Sequence, residues 1–145
     1  MATASPKDLI VKTLKEKSVV KQDVFHHTIA VFKGFKEVLK EIADELSKKA
    51  EAIDDRLDIK YTDKSEFEAE LKVAGDVLLF YMHTNVFDFD KNHPIWKTSY
   101  VKKEFNSFCG MINVYNFLSD SFKYNRSTDL GYLIARVFVN RELHY

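Results

Sequence analysis

Residues 21–53 read KQDVFHHTIAVFKGFKEVLKEIADELSKKAEAI. Phe25, Phe32, Leu39, Leu46 and Ile53 recur at seven-residue intervals, and Ile29, Phe35, Ile42, Ala43 and Ala50 fall between them. The apolar positions therefore repeat about every 3.5 residues, as one stripe along an α-helix does. Lys33, Lys36, Glu37, Lys40, Glu41, Asp44, Glu45, Lys48, Lys49 and Glu51 take the other faces. The stripe has to be buried, against the rest of this chain or against a second copy. At 1.5 Å per residue the helix reaches roughly 45–50 Å, whereas a domain of this size has a radius of gyration of about 15 Å. That excess length is the reason to expect self-association through Phe25, Phe32, Leu39 and Leu46.

Upstream, Ser5-Pro6-Lys7-Asp8 is a helix start: a serine cap, a proline suited to the first helical position, and an acid placed for a capping box. A short helix runs from there to about Lys17, with Leu9, Ile10 and Leu14 on one face. Gly34 inside the long helix costs about 1 kcal/mol relative to alanine and marks close packing or a bend.

Downstream of Asp54 the period falls to two. Leu57, Ile59 and Tyr61 alternate with Asp58 and Lys60, and a turn is expected at Thr62-Asp63-Lys64-Ser65. Phe67, Ala69, Leu71 and Val73 alternate with Glu66, Glu68, Glu70 and Lys72, the pattern of a strand with one face on a core and one in water. Ala74-Gly75-Asp76 makes a tight reversal. Val77 to Val86 is apolar on both faces and reads as a central strand. Residues 88–107 form a long connection, Met111–Leu118 a fourth strand or a helix, and Leu130–Asn140 a fifth strand. Helices first and strands after predict an α+β fold with N-terminal helices packed on a roughly five-stranded antiparallel sheet. The whole of 1–145 is one domain, with a helical layer over 1–54 and the sheet over 55–145.

At 145 residues such a chain buries roughly 68–70% of its unfolded surface and folds without disulfides or metal. Lys and Arg number 22 and so do Asp and Glu, giving zero formal net charge. Nucleic-acid binders draw most of their affinity from a basic excess, so this balance argues against one, and it offers little repulsion against self-association. The single cysteine, Cys109, excludes an internal disulfide and a cysteine-rich zinc site. No run of 18 apolar residues and no signal-type N-terminal segment occurs, so the expectation is a cytoplasmic protein without a membrane partner.

Several patterns resemble chemistry without completing it. Asp88-Phe-Asp90-Lys-Asn92 opens like a calcium loop, but His93 stands where the turn needs glycine and Ser99 where a bidentate glutamate belongs. Glu70-Leu-Lys72 near Asp76 resembles the acid-and-lysine cluster of restriction-type nucleases, with the strand order reversed. His26, His27, His83, His93 and His144 show no metal-ligand spacing. Cys109 beside Gly110 reads as a buried, inert thiol, although a nucleophile paired with His83 is the chemical alternative. Lys97, Tyr100, Lys102 and Lys103, and Lys123-Tyr124-Asn125-Arg126, mix bases and rings in a way that suits single-stranded nucleic acid; the neutral charge favours solvated loops. Phosphate loops, nucleophile elbows and dinucleotide fingerprints are absent. The balance is against an enzyme, and no catalytic residue, metal or cofactor is assigned.

The stretches Phe67–Asp76, Met82–Asn85, Ile95–Tyr100, Cys109–Leu118, Ser121–Arg126 and Asp129–Arg136 together resemble an uncharacterised bacterial protein family of unknown function. The resemblance implies a bacterial cytoplasmic protein and brings no catalytic residues. The leading expectation is a non-enzymatic interaction or binding module, a homodimer through the long helix or a binder of another protein. Trp96 and Tyr100 are added as contact anchors, since aromatic residues dominate interface energetics. The alternative is a small-molecule sensor of the PAS or GAF kind, with His83, Asn85, Asn113 and Tyr115 as polar groups in an apolar sheet pocket. A metal-dependent nuclease is the third reading.

Overall fold

The computed structural model describes residues 4–101, 103 and 105–143. Ser5 starts the chain's helix as its sequence requires. Its Oγ accepts from the Asp8 N–H at 3.2 Å while its own N–H donates to Asp8 Oδ2 at 3.1 Å, a reciprocal capping box. Helix α1 (Pro6–Thr13) passes through one π-helical turn (Leu14–Ser18) into α2 (Val19–Glu51) without a break. The two expected helices are thus one rod. The switch comes at Leu14–Ser18, a stretch in which no residue is buried.

Five strands follow as an antiparallel meander in the order β1-β2-β3-β4-β5: β1 (Ile59–Ser65), β2 (Glu68–Val73), β3 (Asp76–Met82), β4 (Cys109–Leu118) and β5 (Tyr132–Asn140). This is the expected α+β arrangement, and Met111–Leu118 is strand. Strand boundaries differ from the expected ones by two residues at the starts of β4 and β5, and by more at two other places. β1 continues through Thr62–Ser65 and turns at Glu66–Phe67, with a register shift between Asp63 and Ser65. Lys36 of α2 holds that irregular stretch: its ammonium donates to Asp63 Oδ1 at 2.7 Å and to the Ser65 carbonyl. β3 stops at Met82 rather than Val86, because the chain turns at His83, whose Nδ1 accepts from the Asn85 N–H at 3.1 Å.

α2 lies on one face of the sheet. Phe32, Leu39 and Ala43 pack with Ala69 and Leu71 of β2, Phe80 and Met82 of β3, and Ile112 and Val114 of β4. Ile59, Tyr61 and Val137 extend the layer to both edge strands. Burying an aliphatic or aromatic side chain in this way contributes about 1.5–3 kcal/mol, so this single layer carries most of the fold's apolar stabilisation. Helix and sheet come close at Gly110. A Cβ there would sit 2.0 Å from Thr28 Oγ1, and Thr28 itself is 0% exposed with its hydroxyl donating to the Val24 carbonyl at 2.7 Å. Glycine at 110 lets helix and strand backbones meet.

Candidate functional site

Alternation along the strands puts a second set of side chains on the face away from α2. In register there, Leu79 stands beside Tyr115, Tyr81 beside Asn113 and Val77 beside Phe117. Aromatic contacts cover this face at its ends. Near the end of β3, the Phe87 ring meets His83 at 4.9 Å and the Phe89 ring meets Phe138 at 5.1 Å. At the other end α3 (Ser119–Lys123) sets Phe122 against Phe117 at 5.2 Å. Among the described residues no long helix packs on this face.

His83, Asn113 and Tyr115 belong to this face. Asn113 is buried, and its Oδ1 accepts from Arg136 Nε at 3.2 Å. The His83 ring stacks edge-on to Tyr81 at 6.1 Å, and its Nδ1 is engaged with the Asn85 N–H. Asn85 lies beyond the end of β3, exposed, so it does not share the strand face that simple alternation would give it. It borders a shallow 430 Å³ groove with Lys21, Phe25 and Phe87. The larger hollow near this region, about 530 Å³, is lined by Phe89, Ile95, Val101, Cys109, Arg136 and Phe138 among others, and none of His83, Asn113 and Tyr115 reaches it.

Cys109, on the floor of that hollow, is buried, and burial together with the Asp88 carboxylate pushes its thiol up to about 12. A thiol so protonated is a packing group rather than a nucleophile. Glu70 and Lys72 do not point at a common centre: Glu70 pairs with Lys64 at 3.5 Å and Lys72 with Asp58 at 2.7 Å. Among the described residues no group of three or more His, Cys, Asp or Glu side chains is placed to hold a metal. In the Asp88–Asn92 stretch Asp88 Oδ1 accepts from the Phe89 N–H and Asp90 Oδ1 from the Asn92 N–H, local bonds that fold both carboxylates onto their own turn. Three basic residues of the two loops are engaged nearby: Lys103 with Glu142 at 2.8 Å, Arg126 with Asp129 at 3.0 Å, and Lys123 over the Tyr124 ring. Lys102 and His144 lie outside the described residues.

The contact residues expected on the long helix divide into two groups. Phe32 and Leu39 are in the core and Phe25 packs against it, so their stripe is consumed by this chain's own sheet. Leu46 stays exposed, and Ile53, past the end of α2, is 79% exposed. Trp96 is partly exposed and its indole N–H donates to the Asp90 carbonyl at 2.8 Å, tying down the connecting loop. The side chain of Tyr100 lies outside what the structure describes.

Two apolar surfaces escaped the sequence reading. Leu9, Ile10, Val11, Leu14 and Val19 are all about half exposed, and neither α1 nor the π turn contains a buried residue. The start of β5 is open as well: its first five residues are exposed although four of them are apolar and uncharged. The signal for the first was present in the apolar face of Leu9, Ile10 and Leu14; the signal for the second was an apolar run with no neighbour strand left to cover it. No family model, curated protein or solved structure matches the chain.

Proposed function

We propose that the protein is a non-enzymatic interaction module, a cytoplasmic protein that self-associates through the projecting part of its helix. One observation carries the reading. The helical rod continues through α1 and the π turn beyond its buried stretch, and among the described residues that extension presents Leu9, Ile10, Val11 and Leu14 about half exposed, with no buried residue in α1 or the π turn. An apolar face of that kind on a folded chain is a partner surface. Val38, Ile42 and Leu46, spaced by four residues on α2, form a second, separate exposed row. No helix among the described residues is long and apolar enough to cross a membrane.

The test is molar mass by light scattering over a wide range of concentration, for the natural chain and for the Ile10→Glu/Leu14→Glu variant. Loss of mass in the variant, with melting unchanged, supports the reading; a variant of identical mass overturns it. A second reading, a small-molecule sensor, is favoured by the 530 Å³ hollow, which falls in the size range of ligand sites and combines apolar walls with Arg136. It requires that Arg136→Ala abolish a thermal shift produced by a small acidic aromatic compound.

A further inference from the structure

The two edges of the sheet are built differently. β1 is guarded: Lys60, Asp63 and Lys64 stand along it, and Lys36, Lys72 and Glu70 make ion pairs with it and its flanks. Charged edges of this kind prevent strand-to-strand association. β5 has no such guard over its first half. From Leu130 to Ala135 there is no charged side chain, and Leu130 is 87% and Tyr132 76% exposed. Leu133, Ile134 and, across the β4–β5 turn, Leu118 and Phe122 are exposed beside them. Leu118, Leu130 and Tyr132 rim one 610 Å³ hollow, so the patch is continuous.

We propose that this edge pairs antiparallel with the same edge of a second copy, so that the two sheets join into one through Leu130–Ile134. Three features favour a second copy as the occupant. Antiparallel pairing of the segment with itself brings no like charges together, because 130–135 is uncharged. It also places the Asp129 end of one strand against the Arg136 end of the other, within one residue step whether the pairing centres on Tyr132 or on Leu133. Asp129 is also held by Arg126 and by Ser121 Oγ at 2.6 Å, so this end-to-end match orients the strands more than it tightens them. Finally, the exposed apolar side chains of the patch present on the order of 800 Å², one partner's share of a standard stable interface. The register shift opposite Val114 and Tyr115 leaves Ile134 as the extra residue of β5, so the regular part of the pairing segment is Leu130–Leu133.

This contact is separate from the helix contact and does not rest on it. A protomer with two different self-complementary surfaces builds chains rather than closed dimers. Light scattering at high concentration therefore compares four proteins: the natural chain, Tyr132→Lys/Leu133→Lys, Ile10→Glu/Leu14→Glu, and all four substitutions together. The expected masses are larger than a dimer for the first, a dimer for the second and third, and a monomer for the last. An edge variant with the mass of the natural chain overturns the edge pairing and leaves the helix contact standing; a helix variant with unchanged mass does the reverse, and a monomeric natural chain overturns both. Hydrogen exchange supplies a readout independent of mass. Protection of the amides of 130–136 must rise with concentration in the Ile10→Glu/Leu14→Glu variant, and protection that ignores concentration there refutes the pairing.

Discussion

Alanine at position 110 puts the helix-to-sheet contact under direct strain. The added methyl would lie 2.0 Å from Thr28 Oγ1 and 2.7 Å from both Cβ and Cγ2 of Thr28. Neither side can yield cheaply, because Thr28 is fully buried in the middle of α2 and Gly110 is buried in β4 between two paired strands. Overpacking in a dense core costs about 1–3 kcal/mol, and the contact with Cβ as well as the side-chain tip places Gly110→Ala at the upper end, about 3 kcal/mol. For a chain of this size that lowers Tm by roughly 6–12 °C. Thr28→Ala removes two of the three clashing atoms, so the double variant Thr28→Ala/Gly110→Ala must be less destabilised than the sum of the single changes by about 1–2 kcal/mol. Urea unfolding followed by far-UV circular dichroism measures all four corners of the cycle. A Gly110→Ala protein within 0.5 kcal/mol of the natural chain, or a strictly additive cycle, would show that helix and strand do not meet there.

Phe32→Ala empties a fully buried site and should cost about 3–5 kcal/mol, while Ile53→Ala, at an exposed position of the same heptad series, should stay within about 0.5 kcal/mol; chemical denaturation of the pair decides whether the sheet or a second chain takes the stripe. Lys36→Met keeps the side chain's volume but removes its bonds to Asp63 and Ser65, and a loss of about 1–2 kcal/mol is expected, with amides of Asp63–Ser65 exchanging faster. At Cys109 the folded thiol titrates near 12 and the unfolded one near 8.5. Above the lower value only the unfolded chain ionises, so this group's contribution to stability is intact below about pH 8.5 and is lost as pH rises towards 12. Stability measured against pH should fall less steeply over that window in Cys109→Ala, and native protein at pH 8 should resist iodoacetamide until it is unfolded. Ala74 holds φ 52° in the β2–β3 turn, a conformation asparagine tolerates better, so Ala74→Asn should raise stability by about 0.5–1 kcal/mol in the same unfolding assay.

Where local patterning and tertiary demand agreed, the sequence was sufficient. The strict alternation of Glu66–Val73 and the two-sided apolar run after Asp76 marked β2 and a central β3, and helices before strands gave the layer order. Boundaries failed where a distant residue intervened. The expected turn at Thr62–Ser65 is strand because Lys36, 27 residues before Asp63, reaches across to hold it. The polar group around His83 was half legible for the same reason. Parity was applied to His83 and Asn85, but the strand ends before Asn85, and Asn113 is engaged by Arg136 from a strand whose register no local pattern reveals. The heptad was legible as a stripe but not as a destination, since a sheet and a second helix ask for the same apolar spacing.

The seat of Thr28 on Gly110 makes α2 a lever with a fixed fulcrum. Pro6 lies about 33 Å up the rod from Thr28. A tilt of about 5° there would swing the far end by about 3 Å over a rod of this length, but it would move Ala50, equally far from Thr28 on the other side, by as much, and the packing of Phe32, Leu39 and Ala43 on the sheet resists it. A partner that grips the extension is therefore held in a fixed direction relative to the sheet, unless the π turn at Leu14–Ser18 flexes.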